Sequence, residues 1–131
     1  MIGDTLGIPV LQSDLLEEIE SLHREDAWLQ GTGPSSKTLV KHPDLKIVLL
    51  ALRKNMRMPE HKTSARISVQ TLSGHIRLKI PGLIVELLAG HLLVLDRHVP
   101  HNVEAEQDSV FLLTLSSLSE GPEKPDANQK K

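Results

Sequence analysis

The sequence predicts an all-β domain, a small antiparallel barrel or sandwich preceded by one short α-helix. Three observations carry that expectation. "HIRLKI", residues 75–80, alternates apolar and polar side chains, and "RISVQTL", residues 66–72, alternates through Ile67, Val69 and Thr71. A period of two marks a strand with one face buried. Around these lie the apolar runs "KIVLLALR", "LIVELL", "HLLVL" and "SVFLLTL", each shorter than an ordinary helix. Turn signals separate the runs: Ser73-Gly74, Pro81-Gly82, Ala89-Gly90, Val99-Pro100 and Gln107-Asp108. Glycines 74, 82 and 90 recur every eight residues, as in a series of hairpins.

Before the strands, "DLLEEIESLHR", residues 14–24, sets Leu15, Ile19 and Leu22 on one helical face. Asp14 with Glu17 three residues later forms an N-terminal cap, with Ser13 as its competitor. "QGTGPSSK", residues 30–37, is rich in Gly, Pro and Ser and reads as a loop. "SLSEGPEKPDANQKK", residues 117–131, has almost nothing to bury and is expected to be a disordered polar tail. The organisation is therefore residues 1–38, a helix and loop packed on the barrel; 39–116, the barrel; and 117–131, the tail. Closing the sheet would protect the edges of strands this apolar.

Composition narrows the functional classes. The chain has 131 residues, 39% hydrophobic and 24% charged, with a formal net charge of −2. The basic residues are scattered and the aromatics are one Trp, one Phe and no Tyr, a poor inventory for stacking nucleic-acid bases or sugar rings. There is no cysteine, which removes disulfides, thiolate metal sites and a Cys nucleophile and suits a reducing cytoplasm. No apolar run approaches the length of a membrane span, and no basic segment with a long apolar core marks a secretory signal. The expectation is a cytoplasmic protein with neither nucleic acid nor membrane as partner. G-x-S-x-G, H-E-x-x-H and P-loop spacings do not occur, and no carboxylate pair is placed for glycoside hydrolysis.

With His61 and Gly74 in "PEHKTSARISVQTLSG", residues 59–74, and Gly90 and His101 in "GHLLVLDRHVPHNVEA", residues 90–105, the stretch 39–115 resembles a small single-domain cupin, a double-stranded β-helix barrel of the jelly-roll kind. The resemblance rests on two stretches. "PEHKTSARISVQTLSG", residues 59–74, supplies the first histidine of the family's first motif as His61 and its closing glycine as Gly74. Thr63 stands where that motif has its second histidine, and Ile67 where it has its glutamate. "GHLLVLDRHVPHNVEA", residues 90–105, supplies the glycine and histidine of the second motif as Gly90 and His101. Asp96-Arg97-His98 replaces its Pro-x-Gly, and Ala105 its asparagine. "SSKTLVKHPDLKIVLLAL" and "VEAEQDSVFLLTL" also look like a bacterial group of short cupins without an established activity.

The resemblance implies that His61 and His101 meet inside the barrel. Two of the family's four metal ligands remain, so the pair either holds a divalent ion such as Zn, Mn, Ni or Fe loosely, or serves as neutral hydrogen-bonding groups in an apolar cavity. His98, three residues before His101, is a possible third ligand or an exposed loop histidine. Met58 and Met56 alternate on the approach to His61, where thioethers either pack or bind soft Cu(I). Thr63 is a candidate hydrogen-bond donor to a ligand, Ile67 makes one wall apolar, and Arg53 and Arg66 are expected to face solvent.

Three functions compete. The first is a small-molecule binding or sensing module with the ligand near His61, Thr63 and His101, lined also by Met58 and Ile67. The second is a metal-dependent enzyme of isomerase or dioxygenase type. The third is an oligomeric interaction protein, since the resemblance implies a homodimer.

Overall fold

The computed structural model describes residues 9–117. Asp14 caps the first helix, α1 (Leu15–Leu22), its carboxylate accepting from the Leu16 and Glu17 amides at 3.1 and 3.3 Å. A second helix, α2 (Asp26–Gln30), follows and ends on Gly31 in the left-handed region. It was not expected: five residues are too few to display a helical period. Nine strands follow: β1 (Ser35–His42), β2 (Leu45–Leu52), β3 (Arg57–His61), β4 (Arg66–Ser73), β5 (His75–Ile80), β6 (Leu83–Leu88), β7 (Leu92–Leu95), β8 (His101–Ala105) and β9 (Ser109–Ser116). The segment expected as a loop over 30–37 thus gives up its last three residues to β1. Of the tail expected to be disordered, residues 118–131 lie outside those described. Among the described residues no helix is long and apolar enough to cross a membrane.

The strands form two antiparallel sheets, one in the order β1-β2-β9-β4-β7 and one in the order β3-β8-β5-β6. Of the three evenly spaced glycines, only Gly82 turns a hairpin, between β5 and β6. Gly74 and Gly90 instead carry the chain from one sheet to the other, and their corners are stitched together. The Ala89 amide donates to the Gly74 carbonyl at 3.2 Å, and the Gly90 amide donates to the Thr71 carbonyl at 2.7 Å. Both glycines have positive φ, +84° and +89°. Local turn chemistry announces such a backbone but not which strand is paired next.

Between the sheets lies the main core: Leu50, Leu52, Ile67, Val69, Ile76, Leu78, Leu87, Leu95, Val103 and Phe111, with Ala65 and Ala105. The alternation in β5 is realised, with Ile76 and Leu78 inward. Its polar positions join an ion-paired outer face, where Arg77 bridges Glu86 and Glu106 and Lys79 pairs with Glu104. Around β2 and β9 the five-stranded sheet is covered on both sides. Leu49, Ala51 and Val110 point away from the main core and meet Leu22 and Trp28 of the helical segment. Double coverage explains why "KIVLLALR" is apolar without alternation.

Arg53 locks this helical cover in place. Its guanidinium stacks 4.2 Å from the Trp28 ring centre, Nε donates to the Trp28 carbonyl at 2.8 Å, and Nη1 pairs with Asp108 at 3.2 Å. Arg53 faces outward, as expected, but is pinned by these contacts rather than freely solvated. Arg66 is exposed, as expected, and pairs with Asp96 at 2.9 Å.

Candidate functional site

One end of the space between the sheets is an open cavity lined by Met58, Pro59, His61, Val69, His101, Asn102, Val103, Phe111 and Leu113. β3 supplies the first three of these side chains, β8 the next polar pair, and β4 and β9 the floor. His61 and His101 are direct cross-strand partners, and their ring centres lie 4.6 Å apart at a tilt of 57°. His101 is 5% exposed, whereas His61 is exposed at the mouth.

A register irregularity in β3 decides what shares this cavity. Along β8, His101 and Val103 are two residues apart and face the same way, as a strand requires. Their partners on β3, His61 and Met58, are three residues apart, with a register shift between them. In a regular strand those two side chains would point to opposite faces; one extra residue, a bulge, turns both inward. Pro59 sits in this irregular step on an edge strand, where its missing N–H is tolerated. The proline also explains why "RMPEH" was not expected to be a strand.

His101 is held in a defined state. Its Nδ1 lies 2.9 Å from the Val99 carbonyl oxygen, which can only accept, so Nδ1 carries a proton. In the neutral ring Nε2 is then left with its lone pair as acceptor or ligand. A carbonyl that pins one ring nitrogen and frees the other is also the usual support of a metal-binding imidazole.

The remaining candidates fall elsewhere. Thr63 is outside the lining: its hydroxyl accepts from the Ala65 amide at 3.1 Å, and its carbonyl accepts from the His98 amide at 2.8 Å. Ile67 is 3% exposed in the main core beside Leu95. His98 is exposed with φ +63° and is not part of the lining, so the possible third ligand does not join the pair. Among the described residues no three His, Asp or Glu side chains are grouped to hold a metal.

Two imidazole nitrogens and no carboxylate do not fit a resident divalent ion. Such an ion wants at least three protein ligands and a nearby negative charge, and the walls here are almost wholly apolar. Space is a second restriction. The empty volume is about 310 Å³ when counted out into the mouth, but only about 20 Å³ admits the centre of a water molecule. That is the room of one or two water-sized groups.

Neither the family models nor the curated proteins gave a match to the sequence. Solved structures did. A conserved protein of unknown function from Streptococcus pyogenes is 26% identical, with a TM-score of 0.63 over 66% of this chain and 75% of that one. A cupin 2 conserved barrel domain protein from Leptotrichia buccalis is also 26% identical, with a TM-score of 0.66 over 76% of this chain and 46% of that one. An RmlC-like cupin from Shewanella frigidimarina, 20% identical, scores 0.62 over 67% of this chain and 79% of its own.

Proposed function

The chain folds as a small RmlC-like cupin barrel, and on that premise we propose that it is a binding module whose ligand is recognised at the His61–His101 pair. One observation carries the reading: a buried imidazole, fixed through Nδ1 and offering Nε2, stands beside a second imidazole in an otherwise apolar cavity. A concave apolar site with a few convergent polar groups is what small-molecule recognition requires.

The chemistry of the pair limits the ligand. With Nδ1 donating to the Val99 carbonyl, Nε2 accepts whenever the ring is uncharged and then pairs with a hydroxyl or N–H donor. A charged carboxylate would enter walls that offer no countercharge. The limited room allows one such group to seat at the pair while the body of the molecule stays in the mouth, against Met58, Pro59 and Leu113.

A thermal-shift screen of small hydroxyl- and amine-bearing compounds tests this. A ligand at a hundred times its Kd is expected to stabilise the intact protein by about 2.7 kcal/mol, and both His61→Ala and His101→Gln are expected to remove most of that gain. A ligand whose stabilisation survives both changes would place recognition away from the pair and sink the proposal.

A further inference from the structure

The same cavity holds a third potential donor that neither of the family's metal motifs contains. Met58 lines it with His61 and His101, brought to that side by the β3 bulge. We propose that Met58, His61 and His101 form a site for a soft monovalent metal ion, Cu(I) by chemical class. The inference rests on the reading above only in taking the histidine pair as the point of binding.

Three features favour a soft single charge. First, the donors are two imidazoles and a thioether, all uncharged, and thioether with imidazole selects Cu(I) over hard dications. Second, the absent carboxylate is a smaller handicap for one charge than for two. The cost of taking an ion out of water grows with the square of its charge, so a monovalent ion pays roughly a quarter of a dication's penalty. Third, the geometry is within reach. Imidazoles that bind through nitrogen at about 2 Å keep their ring centres roughly 3 Å from the ion, hence about 4–6 Å from each other. The observed spacing is 4.6 Å.

The His101 Nδ1 bond to the Val99 carbonyl leaves Nε2 free to bind. No change of oxidation state is implied, and the site is proposed for binding alone.

Ag(I), which is redox-inert and shares the preference for sulfur and imidazole, is the first probe. The chain has three methionines, so a spectrum of the intact protein labelled at the methionine methyls has few signals to assign. One equivalent of Ag(I) is expected to shift the Met58 methyl and the His61 and His101 ring signals together, leaving Met56 nearly unmoved. Cu(I), titrated anaerobically against a chromogenic chelator, should bind one per chain, with affinity at least tenfold weaker in Met58→Leu and lost in His61→Ala. The five other histidines could bind Ag(I) adventitiously. Uptake that leaves the Met58 methyl unmoved, or unchanged Cu(I) affinity in Met58→Leu, therefore overturns the proposal even if metal is bound. If the metal proposal fails while an organic ligand still depends on His101, the binding-module reading stands; if no probe depends on either histidine, both fall.

Discussion

Replacing Gly74 by alanine separates two effects that usually travel together, backbone strain and steric collision. Gly74 and Gly82 both have positive φ, +84° and +75°. A Cβ on Gly82 would meet nothing within 4 Å, so Gly82→Ala carries backbone strain alone, about 1–2 kcal/mol. A Cβ on Gly74 would lie far inside van der Waals contact of the Asp108 carbonyl oxygen and of Ser109 Oγ, and 2.8 Å from Ser109 Cα. These are not flexible side-chain ends. Ser109 is fully buried, and its hydroxyl accepts from the His75 amide at 2.9 Å and contacts the His75 and Gln107 carbonyls at 3.2 and 2.7 Å. Relief requires that cluster to open, and an orphaned buried polar group costs about 1–3 kcal/mol in addition. Gly74→Ala is therefore expected to lose about 3 kcal/mol or more, a large part of the roughly 5–15 kcal/mol that holds a domain folded. At about 4 °C per kcal/mol its Tm should fall by roughly 12 °C, against about 4–8 °C for Gly82→Ala. Urea denaturation followed by circular dichroism measures both. If the two variants differ by less than about 1 kcal/mol, the corner is compliant and the steric argument is wrong.

Two further perturbations follow from the same contacts. Arg53→Ala removes the cation–π stack and the bond to the Trp28 carbonyl and should destabilise by about 1–2 kcal/mol. Because Trp28 is the chain's one tryptophan, its emission should shift to the red; unchanged emission would show that the helical cover docks without Arg53. On acidification, Glu86 is held below its ordinary value of 4.5, chiefly by the hydrogen bond from His75. Asp96 is held below 3.8, chiefly by the hydrogen bond from Arg66. Lowered folded values mean that each contributes stability above its ordinary range and loses it as the pH falls through the lowered value. The urea midpoint should accordingly drop on the acid side, and less steeply in Glu86→Gln with Asp96→Asn; an identical acid limb in the double variant would contradict this.

Much of the fold is written in local pattern. Alternation in "HIRLKI" and "RISVQTL" identifies β5 and β4 because each has one wet and one dry face. The apolar density of β2 signals burial, though not that its second face is covered by Leu22 and Trp28, since periodicity records that a side chain is buried and not by what. Asp14 is legible as a cap because capping is a property of four or five consecutive residues. The sheet crossings at Gly74 and Gly90 are not legible, because hairpin and crossing use the same left-handed glycine. In the site, the meeting of His61 and His101 follows from the motif spacing of a resembling family. The place of Met58 does not. Strict alternation would send Met58 and His61 to opposite faces, and only the register shift at Pro59-Glu60 puts them together.

That shift gives the site its chemical character. Several charged side chains of the surrounding strands are paired with one another: Arg66 with Asp96, Arg57 and Lys79 with Glu104. Thr63, a polar candidate from the sequence, turns its hydroxyl to the Ala65 amide. Ile67, at the family's carboxylate position, contributes hydrocarbon to the core. The polar side chains turned into the cavity are two imidazoles and a thioether, a set with lone pairs and no formal negative charge. Such a site discriminates by charge before it discriminates by shape, because each unit of uncompensated charge must leave water without a partner. The two ligand classes proposed above, a neutral hydrogen-bond donor and a soft monovalent cation, both meet this condition. They would compete for the same His101 nitrogen, so that binding of one would weaken the other. This shared dependence on Nε2 ties the organic-ligand and metal experiments to one physical cause.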